Sequence, residues 1–288
     1  MARGASVLDM SVTSSFVDDL NEAVQYVPNL ARVRFEMGLR DDAERWIHKK
    51  HANGAVHEPA TIAAFLAVRR CYPEIRCVYD IGALFGYFSL LAGSLFEDAE
   101  VTAFEMHPGA IPSLAPNVWP GTKVVFAAIA DRTEYNVRVW ISAFNIYEQP
   151  EGGWEKLADE SGAMKQRGQN NRGRGFADIN FITLDDYCAH SGDKPGLIKI
   201  DVEGYQAKAI QGALKTIEAH RPVIILELHD PDKLARFGTT NAKTVRPLFN
   251  LGYRAFFCGN HRDADARFEE VAQMAEAHER LSIMVFTP

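Results

Sequence analysis

The order of apolar and polar positions divides the chain into two parts that meet near residue 75. Before that point the pattern is helical and irregular. Apolar residues recur at helical spacing after Glu58 and Pro59, and proline is favourable at the first position of a helix. The sequence therefore predicts a helix that begins there and ends near Cys71, within an N-terminal helical extension over residues 1–74.

From residue 75 to the end, short runs rich in β-branched and aromatic residues alternate with helical stretches. The strand-forming runs are CVYDIG, VTAFEM, KVVFAAIA, GLIKIDVEG, PVIILELHD, YRAFFC and LSIMVF, and the clearest helix is YQAKAIQGALKTIEAH. Strands separated by helices of about 10–15 residues are typical of a parallel sheet with helices on both faces. The pattern thus predicts an α/β domain over residues 75–288. The alternating run YNVRVWIS predicts an added antiparallel strand.

A polar, glycine-rich insert lies at about residues 144–177 of this domain. It carries four clustered basic residues, Lys165, Arg167, Arg172 and Arg174. Loops longer than about 12–15 residues are uncommon in compact domains and are typical of lids and binding loops. We predict a lid that orders on an acidic or phosphorylated substrate, with a solvated surface loop as the alternative.

Charge and cysteine content narrow the classes of function. The chain has 31 Lys and Arg against 38 Asp and Glu, a net charge of −7, which argues against a nucleic-acid-binding surface. Its four cysteines form no CxxC pair, so we expect no structural zinc site. Scattered cysteines of this kind are typical of proteins in the reducing cytoplasm. The apolar run over residues 81–96 is shorter than the roughly 20 residues of a membrane span. We therefore expect a cytoplasmic protein with no membrane or nucleic-acid partner.

Candidate chemistry begins where the first predicted strand ends, at Asp80, Gly82 and Gly86. Ligands of open parallel sheets bind at the carboxyl ends of the strands. This DxGxxxG spacing lacks the GxGxxG loop that holds a pyrophosphate, and it suits a nucleoside-type cofactor without phosphates. Glu105 closes the second strand, where a carboxylate can accept hydrogen bonds from both ribose hydroxyls.

These motifs resemble the FkbM-type S-adenosylmethionine-dependent methyltransferases. The resemblance is carried by DIGALFGYFSLLA, AFEMHP, NFITLDDY, LIKIDVEGYQAKAIQGA and RPVIILELH, between about Glu58 and Asp230. It implies a Rossmann-like class I methyltransferase fold, whose seven-stranded, mostly parallel sheet has the order 3-2-1-4-5-7-6 with strand seven antiparallel. It also implies S-adenosylmethionine as the cofactor. The implied cofactor-binding residues are Asp80, Gly82 and Gly86 at the methionine portion, Glu105 at the ribose, and Ala128 at the adenine with Asp131 nearby.

The acceptor side is predicted at the ends of the fourth and fifth strands. Lys199 and Asp201 share one face of the fourth strand, Glu203 follows at its exit, and Glu227 and His229 share one face of the fifth. Because these strands are neighbours in the expected order, their side chains converge beside the transferable methyl group. The candidate catalytic residues are therefore Lys199, Asp201, Glu227 and His229.

Three readings of these residues stay open at the level of sequence. Methyl transfer from a sulfonium is an in-line displacement, and a hydroxyl acceptor must lose its proton, which Asp201 or His229 can take. Alternatively, Asp201, Glu227 and His229 hold Mg²⁺ or Mn²⁺. In the third reading, Lys199 and Asp201 form a structural ion pair and His229 is a hydrogen-bonded strand-end histidine. We favour direct proton transfer to Asp201.

The resemblance implies methylation of a hydroxyl on a small molecule or saccharide. Nitrogen or carboxylate methylation on the same fold is one alternative, and a non-catalytic S-adenosylmethionine-binding module is another. The N-terminal extension is expected to contribute to the acceptor pocket or to contacts in a homo-oligomer.

Overall fold

The computed structural model describes residues 15–27, 57–142, 145–149 and 174–288. Residues 28–56 of the predicted N-terminal extension and residues 150–173 of the predicted insert lie outside the described residues. The predicted lid therefore stays a prediction. Within the described part of the chain, no helix is long and apolar enough to cross a membrane.

The main sheet has eight strands and runs through the centre of the domain. In chain order, its strands are β1 (Cys77–Ile81), β2 (Glu100–Glu105), β3 (Lys123–Phe126), β8 (Leu197–Ile200), β9 (Val223–Leu228), β10 (Arg254–Cys258), β11 (Glu269–Val271) and β12 (Ser282–Thr287). Their spatial order is β11-β10-β12-β9-β8-β1-β2-β3.

This topology confirms the predicted class I fold, with one correction in the number of strands. The seven predicted strands occur in the predicted order, and β12 runs antiparallel between β9 and β10. The eighth strand, β11, pairs with the outer edge of β10 and was not predicted. It has only three residues, two of them exposed glutamates, so it leaves no apolar pattern in the sequence.

A second, four-stranded sheet lies beside the main one and replaces part of the predicted insert. Its strands are β4 (Ala128–Ile129), β5 (Glu134–Ser142), β6 (Asn145–Glu148) and β7 (Arg174–Ile182), in the order β4-β7-β5-β6. The run KVVFAAIA, predicted as one strand, therefore divides between β3 and β4. The predicted antiparallel strand is β5. The prediction of a loop over residues 144–177 is wrong at both ends, where β6 and β7 lie.

Helices cover both faces of the main sheet. They are α1 (Phe16–Tyr26), α2 (Pro59–Cys71), α3 (Tyr87–Leu95), α4 (Ile111–Leu114), α5 (Leu184–Ser191), α6 (Gln206–Gln211), α7 (Leu214–His220), α8 (Pro231–Ala235) and α9 (Asn241–Asn250). One apolar cluster joins α1, α2 and α3 to one face of the sheet, and another joins α5, α6, α7 and α9 to the opposite face. The helix predicted after Glu58 begins and ends as expected.

The single helix predicted from YQAKAIQGALKTIEAH is in fact two helices, α6 and α7, which meet at Gly212. A side chain at Gly212 would place its Cβ 1.8 Å from the carbonyl oxygen of Ala130. The carbonyl of Gly212 accepts a hydrogen bond from the backbone of Asp185 instead of continuing a helix. Close contact with Ala130, directly after β4, therefore overrides the helical periodicity.

The turn after β1 depends on glycine. Gly82 has φ +81°, a left-handed conformation, and a Cβ there would lie 1.8 Å from the backbone oxygen of Asp201 at the end of β8. Its N–H donates to Phe104 at the end of β2. Gly82 thus lets the ends of three adjacent strands approach one another closely.

We expect Gly82→Ala to destabilise the protein by more than about 3 kcal/mol, because the methyl group collides with backbone that cannot move freely. Gly121→Ala is the matched control, since Gly121 has φ +90° and open space around its Cβ position. The control should lose only about 1–2 kcal/mol through its strained backbone. Urea denaturation measures both values, and equal losses would contradict the close-approach argument.

Candidate functional site

A cleft of about 730 Å³ opens at the carboxyl ends of β1, β2 and β8. This is the point where the strand order of the parallel sheet reverses, the usual place for ligands in such folds. Of the predicted site residues, Gly82, Glu105, Ala128, Asp201 and the nearby Glu203 line the cleft.

Glu105 is held rigidly at the end of β2. Its side chain is only 5% exposed, and each carboxylate oxygen accepts one backbone N–H at 2.7 Å, from His107 and from Leu84. Each oxygen keeps a further lone pair for a hydroxyl group. Burial raises the pKa of Glu105. The carboxylate is therefore fixed in a geometry that suits a ribose diol.

The remaining predicted cofactor residues have different surroundings. Ala128 is buried in the cleft wall. Asp80 is fully buried behind the wall, Gly86 begins α3 with φ +87°, and Asp131 is exposed. These three are not among the residues that line the cleft. Their contacts with the cofactor stay predictions.

Lys199 is a buried cation between two carboxylates. Its Nζ lies 3.3 Å from Asp80 Oδ1 and 3.7 Å from Asp201 Oδ2, and it donates to the carbonyl of Gly82. Burial alone would lower the pKa of Lys199, but Asp80 and Asp201 outweigh it and raise the pKa. Lys199 therefore stays protonated and cannot serve as a base, which agrees with the ion-pair reading of Lys199 and Asp201.

The structure brings the predicted acceptor-side residues together around His229. His229 is 2% exposed, and its Nε2 lies 3.4 Å from Glu203, 3.5 Å from Glu227 and 4.0 Å from Asp201. The convergence of the β8 and β9 ends follows the prediction. Asp201 and Glu203 are partly exposed, so they can reach a substrate in the cleft.

Three further residues complete this cluster, and sequence reasoning missed them as site residues. Glu227 Oε1 lies 3.2 Å from His261 Nε2 and 3.0 Å from Arg262 Nη2, and Arg262 also lies 3.5 Å from Glu58 Oε1. Glu58 precedes α2, whereas His261 and Arg262 follow β10. No motif or spacing links these segments in the sequence, so only the folded chain shows them together.

The loop that carries His261 and Arg262 is fastened to the N-terminal helices. The backbone N–H of Ala60, in α2, donates to the carbonyl of His261. Asn21, in α1, exchanges two hydrogen bonds with the backbone of Phe268, at 3.0 and 2.8 Å. The helices that precede the methyltransferase-like motifs therefore position one wall of the candidate acceptor site.

The pKa values of two carboxyl groups in the cluster are shifted in opposite directions. Burial alone would raise the pKa of Asp201, but the Lys199 cation holds it well below its ordinary value. Burial and the neighbouring Asp201 carboxylate raise the pKa of Glu227 well above its ordinary value. Asp201 is therefore the more acidic of the two groups and keeps its negative charge more readily than Glu227.

The same side chains fit a divalent cation poorly. Donor atoms of Asp201, Glu227 and His229 lie within 4.8 Å of one another, as metal ligands would. However, the Lys199 ammonium already lies beside Asp201, and the Arg262 guanidinium beside Glu227. These cations already pair with two of the carboxylates that would bind a metal ion, so no step is assigned to one.

The second sheet forms the opposite wall of the cleft through Ala128, Ile129 and Ile146, and Tyr205 packs beside it. Tyr205 follows β8, is 3% exposed, and packs its ring against Phe237. Its hydroxyl donates to Glu148 Oε1, at the end of β6, at 2.8 Å. The Glu148 carboxylate thus fastens the edge strand β6 to the segment after β8, and it fixes the position of the Tyr205 ring.

Known proteins share features of this sequence and fold. A family model described as "Methyltransferase FkbM domain" matches residues 80–255. No curated protein matches the sequence. A solved structure of methyltransferase FkbM from Methylobacillus flagellatus KT is similar at 14% identity and a TM-score of 0.40, covering 92% of this chain and 58% of that chain.

Two other solved structures show a similar degree of likeness. Precorrin-6y C5,15-methyltransferase from Geobacter metallireducens GS-15 has 17% identity and a TM-score of 0.37, covering 73% of this chain and 78% of that chain. Fibrillarin from Aeropyrum pernix, solved with natively bound S-adenosyl-L-methionine, has 8% identity and a TM-score of 0.34, covering 74% and 66%.

We expect Glu105→Ala to lose about 1–3 kcal/mol of binding free energy for S-adenosylhomocysteine, because the ribose hydroxyls lose their acceptor. Isothermal titration calorimetry measures the affinity. Glu100→Ala is the control, since Glu100 is exposed at the other end of the same strand. An unchanged affinity in Glu105→Ala would remove this residue from the cofactor site.

We expect Tyr205→Phe to weaken S-adenosylhomocysteine binding about three- to tenfold, because the ring loses the hydrogen bond that positions it. Tyr253→Phe is the matched control. The Tyr253 hydroxyl is also buried and donates to a carbonyl, that of Pro222, away from the cleft lining. Its loss should reduce the free energy of unfolding but leave the affinity unchanged. Equal affinities in the two variants would show that Tyr205 has no role in the cleft.

Proposed function

This chain belongs to the FkbM methyltransferase family and is an S-adenosylmethionine-dependent methyltransferase; we propose that it methylates a hydroxyl group of a small molecule or saccharide. The family match bears out the resemblance of the sequence motifs. The observation that carries the proposal is Asp201, an ionised and partly exposed carboxylate in the lining of the cofactor cleft.

The acidic character of the cluster supports a hydroxyl acceptor over a carboxylate acceptor. Four carboxyl side chains converge there, from Glu58, Asp201, Glu203 and Glu227. The carboxylates that line the cleft can accept hydrogen bonds from hydroxyl groups, whereas a carboxylate substrate has no proton to donate to them. Methylation of a nitrogen acceptor is the alternative that this charge distribution leaves open.

The proposed reaction assigns a separate task to each part of the site. The Glu105 carboxylate holds the ribose of the cofactor, whose sulfonium carries the methyl group. The acceptor oxygen attacks that methyl carbon in line with the carbon–sulfur bond, which breaks and leaves S-adenosylhomocysteine. The hydroxyl proton passes to the Asp201 carboxylate. Lys199 keeps Asp201 in place and ionised before the substrate arrives.

We expect Asp201→Asn to lower turnover about 10²- to 10⁴-fold, since an amide cannot accept the hydroxyl proton. Its affinity for S-adenosylhomocysteine should be unchanged. The assay follows methyl label from S-adenosylmethionine into a metabolite extract, and EDTA should have no effect on it. Asp178→Asn is the control, because Asp178 is exposed in the second sheet and pairs with Arg138.

Three outcomes would contradict parts of this proposal. Near-normal turnover in Asp201→Asn would exclude Asp201 as the proton acceptor. Activity that EDTA abolishes and Mg²⁺ or Mn²⁺ restores would favour a metal-dependent reaction. Cofactor binding without transfer of label to any extract component would favour a non-catalytic binding module.

A further inference from the structure

Gln206 contacts the one ring nitrogen of His229 that does not face the carboxylates. Gln206 is the first residue of α6 and is 1% exposed. Its side-chain Nε2 lies 2.8 Å from the backbone oxygen of Glu227 and 2.5 Å from His229 Nδ1. The same amide nitrogen therefore contacts both groups.

The Glu227 carbonyl determines the orientation of this amide. A backbone carbonyl can only accept hydrogen bonds, so the Gln206 atom beside it must be the NH₂ group. The reversed amide would place two carbonyl oxygens at 2.8 Å, where they repel. Within the described part of the chain, Gln206 Oε1 is buried without a partner. The two hydrogen bonds that the NH₂ group donates offset the cost of this unsatisfied oxygen.

The amide orientation in turn determines the tautomer of His229. Because an NH₂ group faces Nδ1, that nitrogen must accept a hydrogen bond and carries no proton. In the neutral imidazole the proton is then on Nε2, which faces Glu203, Glu227 and Asp201. The backbone of His229 is also fixed, since its carbonyl accepts from Asn241 Nδ2 at 2.9 Å.

We propose that Gln206 holds His229 as the Nε2–H tautomer, so that His229 donates to the surrounding carboxylates and neither removes the acceptor proton nor binds a metal ion. The statement about the acceptor proton rests on the proposed function. A base must present a lone pair toward the substrate, and Nε2 presents a proton there. Gln206 is accordingly a positioning residue.

The same arrangement is the reverse of a metal-binding histidine. A histidine that binds a metal through Nε2 donates its Nδ1–H to a carboxylate, a carbonyl or water. Here the group at Nδ1 is itself a donor. Among the residues of the cluster, this leaves the carboxylates of Asp201 and Glu203, which line the cleft, as the groups that can accept a proton from the substrate.

The tautomer is measured by two-bond ¹H–¹⁵N correlation NMR on protein labelled with ¹⁵N-histidine, near neutral pH and without an acceptor. His229→Gln identifies the His229 signals. We expect Nδ1 to show the shift of an unprotonated nitrogen and Nε2 that of a protonated one. Either the opposite tautomer or a doubly protonated ring in the unsubstituted protein would overturn the proposal.

Two substitutions of Gln206 test whether it is the cause. Gln206→Glu places an acceptor beside Nδ1, and the proton should move to that nitrogen. Gln206→Leu removes the donor, and the His229 ring should become a mixture of both tautomers. This second variant keeps the test possible if the buried glutamate of Gln206→Glu prevents folding. The signals of the exposed His190 should be unchanged in both variants. A His229 tautomer that is unchanged in both variants would overturn the role of Gln206.

Titration with MnCl₂ tests whether His229 binds a metal ion, because bound Mn²⁺ broadens the NMR signals of the residues that coordinate it. We expect no broadening of His229 beyond that of His190. Selective broadening of His229 that Asp201→Asn removes would overturn this part. These readouts involve no methyl transfer, so failure of the hydroxyl-methylation proposal leaves the tautomer result unaffected.

Discussion

The pairing of Lys199 with Asp80 and Asp201 is the interaction on which the geometry of the site depends. Lys199 in β8 lies directly opposite Asp80 in β1, at the two central parallel strands. A buried charge is unfavourable unless it is paired, so these three side chains must stay together. The pairing thereby fixes the loop after β1 relative to the Asp201 carboxylate after β8, and both border the same cleft.

Much of this arrangement could be predicted from local sequence. Buried parallel strands are mostly apolar runs, and β8 and β9 are buried along their whole length, with Lys199 and Glu227 as their polar side chains. Polar residues that follow such runs lie at one edge of the sheet, so the meeting of Asp201 with His229 follows from strand adjacency. Glu105 is positioned by the same rule at the end of β2. The strand order itself came from the family resemblance, because periodicity does not determine it.

The other features of the fold and the site depend on contacts between segments that are distant in sequence, and such contacts leave no local sequence pattern. Glu58 marks a helix start in the sequence, and its pairing with Arg262 exists only because α2 packs beside the turn after β10. The division of α6 from α7 arises where Gly212 meets the backbone directly after β4. The strands β6 and β7 were missed because glycine and charged residues hide their alternation. For the same reason, the role of Gln206 cannot be inferred without the position of the Glu227 carbonyl.

The hydrogen bonds between Asn21 and Phe268 have a consequence for biosynthesis, since these residues are 247 positions apart. The N-terminus of a chain leaves the ribosome first, so Asn21 in α1 can form these hydrogen bonds only after nearly the whole polypeptide has emerged. The residues that line the cleft, by contrast, lie between Ile81 and Phe237. The loop that carries His261 and Arg262 can therefore be fastened to α1 only in a chain that has been synthesised past Phe268.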